Sequence, residues 1–186
     1  WTSVMHTARY NENTEMLRTL IDAGSDVNAQ NESGATALML ATYNKNPAVI
    51  KAIIDVGADV EARNKDGWTS VMHAARDNEN SEILRVLIDA RGDVEARDKY
   101  GWTSVMHAVR YNENTEMLRM LIDAGSDVNA QSEYGSAPLM LGTYNKNPAV
   151  ITVLIEAGAD VEARDKDGWT SVMHTARYNE NTEMLR

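Results

Sequence analysis

The stretch GWTSVMHAARDNENSEILRVLIDARGDVEARDKYG, residues 67–101, contains every element that decides the fold. Thr69 is a typical N-cap residue for a short helix that carries Val71, Met72 and Ala74. A polar loop follows, and apolar residues then recur at the spacing of a second helix. The stretch ends in a charged segment that closes on glycine, which is a turn signal. We therefore predict a helix–loop–helix unit followed by a β-turn.

The same pattern returns along the whole chain with a period of 33 or 34 residues. The predicted repeats are 1–33, 34–66, 67–100, 101–134, 135–167 and 168–186, the last one truncated. Residues 1–33 match residues 102–134 at 28 of 33 positions, so a three-repeat block has been duplicated with a shift of 101. A fixed period of this length predicts a solenoid, in which each repeat buries its apolar face against its neighbours. We expect residues 1–186 to form a single array.

Residues that begin and end helices recur in register with the repeats. The second helices are predicted to begin after asparagine caps, with Pro47 and Pro148 as first helical residues in the short repeats. These caps are Asn13, Asn46, Asn80, Asn114, Asn147 and Asn181. Glycine ends the second helix at Gly24, Gly57, Gly125 and Gly158. In the third repeat Arg91 stands at this position, with a left-handed penalty of about 1 kcal/mol unless Gly92 takes over the role. We expect a local irregularity over residues 89–93.

Composition excludes several function classes. The formal net charge of −10 and the lack of a Lys/Arg cluster argue against nucleic acid or an anionic membrane as partner. There is no cysteine, which excludes disulfides and thiolate zinc sites, and no apolar run is long enough to span a bilayer. Ten methionines and no phenylalanine favour aliphatic helix packing. The compartment stays unknown, with a soluble cytoplasmic protein as the default expectation.

The sequence contains partial patterns of three chemical sites, a Ser-His dyad, a histidine metal site and a calcium loop, and each pattern is incomplete. Ser70 and His73 lie three residues apart on a predicted helix, but no third group or oxyanion hole accompanies them. The histidine position holds Leu40 and Leu141 in the short repeats, so we expect a partly buried structural histidine there. A shared histidine metal site fails because neighbouring helices lie too far apart, and the Asp-Gly turns lack the remaining ligands of a calcium loop. We predict no catalytic residue, metal or cofactor, and no enzyme activity.

The sequence resembles the ankyrin repeat family across essentially its whole length. The family pattern T-P-L-H-x-A-A corresponds to residues 69–75, and its L-L-x-x-G-A-D-V-N-A pattern corresponds to residues 121–130. The resemblance implies an all-α ankyrin repeat solenoid of helix–loop–helix units with short β-turn fingers. Two departures stand out: methionine replaces the family histidine in every repeat, and the family proline is retained only at Pro138.

The resemblance also implies that a partner protein binds on the concave side, at the turn tips and the outer face of the first helices. The matching positions are Trp68, Trp102, Trp169, Tyr100, Tyr134, Arg76, Asp77, Arg110, Tyr111, Tyr43 and Tyr144. Trp, Tyr and Arg are enriched at binding hot spots. An open alternative is that the tryptophans are structural cover, stacked on an arginine or a neighbouring turn. Tyr100, Tyr134 and Asp77 are the stronger candidates because they break the repeat pattern.

We therefore expect a non-enzymatic scaffold whose partner carries a basic surface, the latter inferred from charge alone. Two alternatives stay open. No capping repeat is visible at either end, so the chain is expected to be a segment of a longer array or to join other molecules end to end. The other alternative is an engineered repeat protein without a native partner.

Overall fold

The computed structural model describes residues 1–178, and every regular element within that range is an α-helix. The helices are α1 (Ser3–Tyr10), α2 (Thr14–Asp22), α3 (Ala37–Ala41), α4 (Pro47–Asp55), α5 (Ser70–Asp77), α6 (Ser81–Asp89), α7 (Ser104–Tyr111), α8 (Thr115–Asp123), α9 (Pro138–Gly142), α10 (Ala149–Glu156) and α11 (Ser171–Tyr178). Odd-numbered helices are the first helices of the repeats and even-numbered helices are the second. The predicted all-α fold class of helix–loop–helix repeats is confirmed. The chain divides into two compact units, an N-terminal unit Trp1–Asp93 and a C-terminal unit Val94–Arg186.

The first helices begin where the sequence predicts. The Thr69 side chain accepts a hydrogen bond from the Met72 amide at 3.4 Å, and Thr2 and Thr36 cap α1 and α3 in the same way. Val71 and Met72 are completely buried. Residues 69–72 therefore contribute a cap and core side chains, since a threonine cap satisfies an amide that the helix itself leaves without a partner.

The second helices begin after asparagine. Asn13, Asn46, Asn80 and Asn114 accept hydrogen bonds from the first-turn amides of α2, α4, α6 and α8, which confirms four predicted caps. Asn147 accepts from the Ala149 amide at 3.0 Å, but α10 begins at Ala149, one residue later than predicted. The expected cap Asn181 lies outside the described residues.

The helix end in the third repeat corrects one expectation. Arg91 adopts a φ of 66° and is the one described residue other than glycine with positive φ. Its amide bonds the Ile88 carbonyl at 2.8 Å, and the Gly92 amide bonds the Leu87 carbonyl at 3.0 Å. Gly125 and Ser126 make the same pair of bonds at 2.9 and 3.0 Å. The expected irregularity over 89–93 is therefore wrong: the geometry is regular, and Arg91 takes the glycine conformation.

Asparagines in the loops between the two helices join successive repeats. The buried Asn44 amide donates to the Ala8 carbonyl at 2.9 Å and to the Asn11 carbonyl at 3.1 Å. In the C-terminal unit, the buried Asn145 donates to the Val109 and Asn112 carbonyls at 2.8 and 3.0 Å. Each of these asparagines also accepts the amide two residues later. The loops are thus held by side-chain bonds to backbone groups that would otherwise be buried without partners.

The charged segments form the predicted β-turns. In each, the residue that opens the turn accepts a hydrogen bond from the closing glycine amide at 2.9 Å. The five closing glycines, Gly34, Gly67, Gly101, Gly135 and Gly168, all have positive φ. Neighbouring turns within each unit are joined by backbone bonds, such as Glu133 N–H to the Tyr100 carbonyl at 3.0 Å. A Cβ at Gly101 would lie 2.9 Å from the Glu133 nitrogen, so glycine is also required for this close approach.

Each unit has its own apolar core between stacked helices. In the N-terminal unit α1 packs on α2 and α3, and α4 packs on α2 and α6. In the C-terminal unit α7 packs on α8 and α9, and its core includes Val105, Met106, Leu118, Leu139 and Leu154. Helix-on-helix burial leaves the turn tips and the C-terminal ends of α1, α5 and α7 available for other contacts, whereas α3 and α9 are buried along their whole length.

Candidate partner-binding surface

The sequence-predicted residues lie at two kinds of position. Tyr100 and Tyr134 occupy turn tips and are 45% and 63% exposed. The tryptophans directly precede the first helices, and the other candidates lie at the C-terminal ends of these helices or just after them. Each position is thus fixed by a capped helix or a hydrogen-bonded turn.

The tryptophans are half-buried and pack on their own repeats. The Trp68 ring lies 5.0 Å from the His73 ring, and the Arg76 guanidinium carbon lies 5.2 Å from the Trp68 centroid. Trp169 makes the same pair of contacts with His174 and Arg177, at 5.5 and 4.9 Å. These contacts favour a structural role for the tryptophans. Each arginine–tryptophan contact at such a site stabilises the fold by about 1 kcal/mol.

The histidines of the fourth and sixth repeats bind the aspartate that opens the turn directly before their repeat. His107 Nε2 lies 3.1 Å from Asp98 Oδ2, and both side chains are buried. The other carboxylate oxygen of Asp98 accepts the Tyr100 and Trp102 amides at 2.8 and 2.9 Å. His174 and Asp165 repeat this arrangement at 2.9 Å. The pair therefore fixes the turn tip relative to the first helix.

The carboxylate pKa values follow from this geometry. Burial alone would raise the pKa of Asp98, but the hydrogen bonds from His107 and the two amides lower the pKa below its usual value. Asp165 shows the same balance, and its pKa is also lowered. These carboxylates are therefore ionised at neutral pH.

The sequence did contain a signal for this pair. Asp98 and Asp165 open the turns that precede two repeats, and each is followed nine residues later by a histidine. The short repeats carry leucine at the histidine position, and the turns that precede them open with the neutral Asn31 and Ser132. The third repeat departs from this correlation, because its histidine, His73, follows a turn that opens with Asn64. The histidine position considered alone does not predict the pair, whereas its correlation with the residue that opens the turn does.

The structural role predicted for the histidines is confirmed in three repeats. His107 is buried and His73 and His174 are half-buried, whereas His6 is exposed. Ser70 Oγ is buried and makes no hydrogen bond to His73, so the two do not form a dyad. No group of three potential metal ligands occurs among the described residues.

Tyr43 and Asp77 join the second repeat to the third. The Tyr43 hydroxyl donates to Asp77 Oδ2 at 3.1 Å, and its oxygen lies 3.1 Å from His73 Nδ1. Burial, followed by the charge of Asp77, raises the pKa of Tyr43 to about 12. In the C-terminal unit the Tyr144 hydroxyl lies 3.0 Å from His174 Nδ1. Asp77, singled out because it breaks the pattern, thus has a partner within the molecule.

Arginine and tyrosine side chains of successive repeats stack at the C-terminal ends of the first helices. The Arg110 guanidinium carbon lies 4.4 Å from the Tyr144 centroid and 5.2 Å from that of Tyr111. Tyr111 is 49% exposed and stacks on Trp102 at 6.3 Å. The structure therefore brings four predicted residues of the C-terminal unit together, in an arrangement suited to aromatic and cationic contacts.

Comparisons with known proteins identify the repeats. A family model described as "Ankyrin repeats (3 copies)" matches residues 49–132 and 72–165, and one described as "Ankyrin repeats (many copies)" matches residues 5–54. A search of the curated proteins found no match. Within residues 1–178, no helix is both long and apolar enough to cross a membrane.

Proposed function

The chain belongs to the ankyrin repeat family, whose repeats are generally protein–protein interaction modules, and we propose that it is a non-enzymatic scaffold for a partner protein. The partner binds the surface formed by the turn tips and the first helices, which corresponds to the concave side in this family. The observation that carries the proposal is the series of exposed tyrosines at these positions, namely Tyr100, Tyr111 and Tyr134.

Tyrosine supplies a large contact area at low entropic cost, and hot spots are rich in it. By contrast, the tryptophans contribute to stability, so a change at Trp102 or Trp68 alters folding together with binding. The exposed tyrosines are therefore the residues on which the proposal is tested.

The test is quantitative capture of proteins by the immobilised chain. We expect the double variant Tyr100→Ala/Tyr134→Ala to lose at least one protein that the wild type retains, with unchanged helical circular dichroism. The matched control, Arg119→Ala/Ile155→Ala, changes two exposed residues on second helices of the same unit and should retain that protein. Equal loss in both variants, or in neither, would contradict the proposed surface.

A further inference from the structure

The two sets of helices differ in charge. First helices carry an arginine in their last turn in four repeats: Arg9, Arg76, Arg110 and Arg177. Second helices carry a glutamate in their first turn in three repeats: Glu15, Glu82 and Glu116. Among the first helices, which all lie within the described residues, Asp77 is the one carboxylate. The net charge of −10, from which a basic partner was expected, therefore does not describe the surface on which a partner is proposed to bind.

Arg110 is held by aromatic rings rather than by an acidic side chain. Its guanidinium stacks on Tyr144 at 4.4 Å, and its Nη1 donates to the Tyr144 carbonyl at 3.4 Å. Stacking occupies the flat face of a guanidinium and leaves N–H groups at its edge able to donate. Because the side chain is half-buried and stacked, less rotamer entropy is lost when a ligand binds.

Arg9 repeats this arrangement in the N-terminal unit. Its guanidinium carbon lies 4.3 Å from the Tyr43 centroid and 5.4 Å from that of Tyr10. Among residues 1–178, no carboxylate oxygen lies within 4.0 Å of the charged nitrogens of Arg9 or Arg110. Arg76 differs, because its Nε lies 3.5 Å from Asp77 Oδ1. The three-repeat duplication has thus preserved two aromatic-held arginines that have no acidic partner among the described residues.

We propose that Arg9 and Arg110 are two equivalent binding sites for aspartate or glutamate side chains of an acidic segment of the partner protein. The proposal rests on the scaffold function proposed above. A planar guanidinium binds a carboxylate through two parallel N–H···O bonds, which a neutral or basic partner cannot form. The exposed rings of Tyr10 and Tyr111 lie beside the two sites and supply apolar contact.

The test is selection from a library of random linear peptides displayed on phage, using the full 186-residue chain. We expect the retained peptides to be enriched in Asp and Glu. A synthetic peptide of the selected sequence should bind at least about tenfold more weakly to Arg9→Gln/Arg110→Gln, and also after its own Glu residues are changed to Gln. The variant Arg9→Lys/Arg110→Lys keeps the charge but loses the planar fork, and should bind more weakly than wild type.

The chain offers a matched control. Arg18 and Arg119 are also related by the shift of 101, but they lie on second helices. Arg18→Gln/Arg119→Gln changes the net charge equally and should bind the selected peptide like wild type. Thermal unfolding of all variants by circular dichroism verifies that each is folded at the assay temperature.

This inference would be overturned if the retained peptides were enriched in Lys and Arg. It would also be overturned if acidic peptides bound Arg9→Gln/Arg110→Gln and Arg18→Gln/Arg119→Gln equally. Neither result would contradict the scaffold function. Selection that retains no peptide at all would count against both proposals.

Discussion

Replacing Arg91 with glycine should stabilise the protein, although the substitution removes a large side chain. Arg91 holds a φ of 66°, and the left-handed conformation costs a residue with a Cβ about 1–2 kcal/mol. Glycine offsets about 0.5–1 kcal/mol of this stabilisation, because it makes the unfolded chain more flexible. No hydrogen bond or ion pair of the Arg91 side chain is lost among the described residues. The expected net gain in the free energy of unfolding is therefore about 0.5–1 kcal/mol.

The chain contains the reciprocal experiment. Gly125 holds the same helix-end position in the next repeat, and a Cβ built there has no atom within 4 Å, so Gly125→Arg adds strain without a clash. It should cost about 1 kcal/mol. Arg91→Ala removes the same side chain but keeps the strain, and should not stabilise the protein.

Urea unfolding followed by circular dichroism measures all three variants. A change of 1 kcal/mol moves the midpoint by about 0.5 M when the slope is about 2 kcal/mol per molar. Arg91→Gly should raise the midpoint and Gly125→Arg should lower it, with unchanged slopes. A gain in Arg91→Ala equal to that in Arg91→Gly would refute the assignment of the effect to the backbone.

Three further predictions concern buried polar groups. Asn145→Ala should lower the free energy of unfolding by about 3 kcal/mol in the same assay, because it leaves two carbonyls and one amide without their partner. Because the native pKa values of Asp98 and Asp165 are lowered, their stabilisation is present above about pH 4 and is lost as pH falls through the native values. Urea midpoints measured against pH should therefore fall less steeply in acid for Asp98→Asn/Asp165→Asn than for wild type. Because the pKa of Tyr43 is raised to about 12, its stabilisation should be lost as pH rises between about 10 and 12, and Tyr43→Phe should remove this loss in alkaline urea titrations.

The fold could be predicted because local signals repeat. Thr69 and Asn80 cap the two helices of their repeat, and glycine ends the second helix in four repeats, so period and propensity agree. The helix end at Arg91 was harder to predict, because the energetic penalty of one left-handed residue is small compared with the stabilisation from packing of the whole repeat. The helix end therefore keeps the regular geometry, and the strain is confined to Arg91.

The candidate surface could be predicted only in part. Position within the repeat located Tyr100 and Tyr134 at exposed turn tips, since these positions follow directly from the period. Position alone could not separate Trp102, which packs on His107, from Tyr111, which faces solvent. These differences depend on side-chain contacts that the repeat period does not specify, both within a repeat, as for Trp102 with His107, and between repeats, as for Arg110 with Tyr144.

Hydrogen–deuterium exchange of the chain with and without its bound partner locates the surface that the partner covers. We expect added protection at the turn tips 98–101 and 132–135 and in the first helix α7, with little change in the second helices α8 and α10. Protection confined to α8 and α10, with the turn tips unchanged, would contradict this expectation.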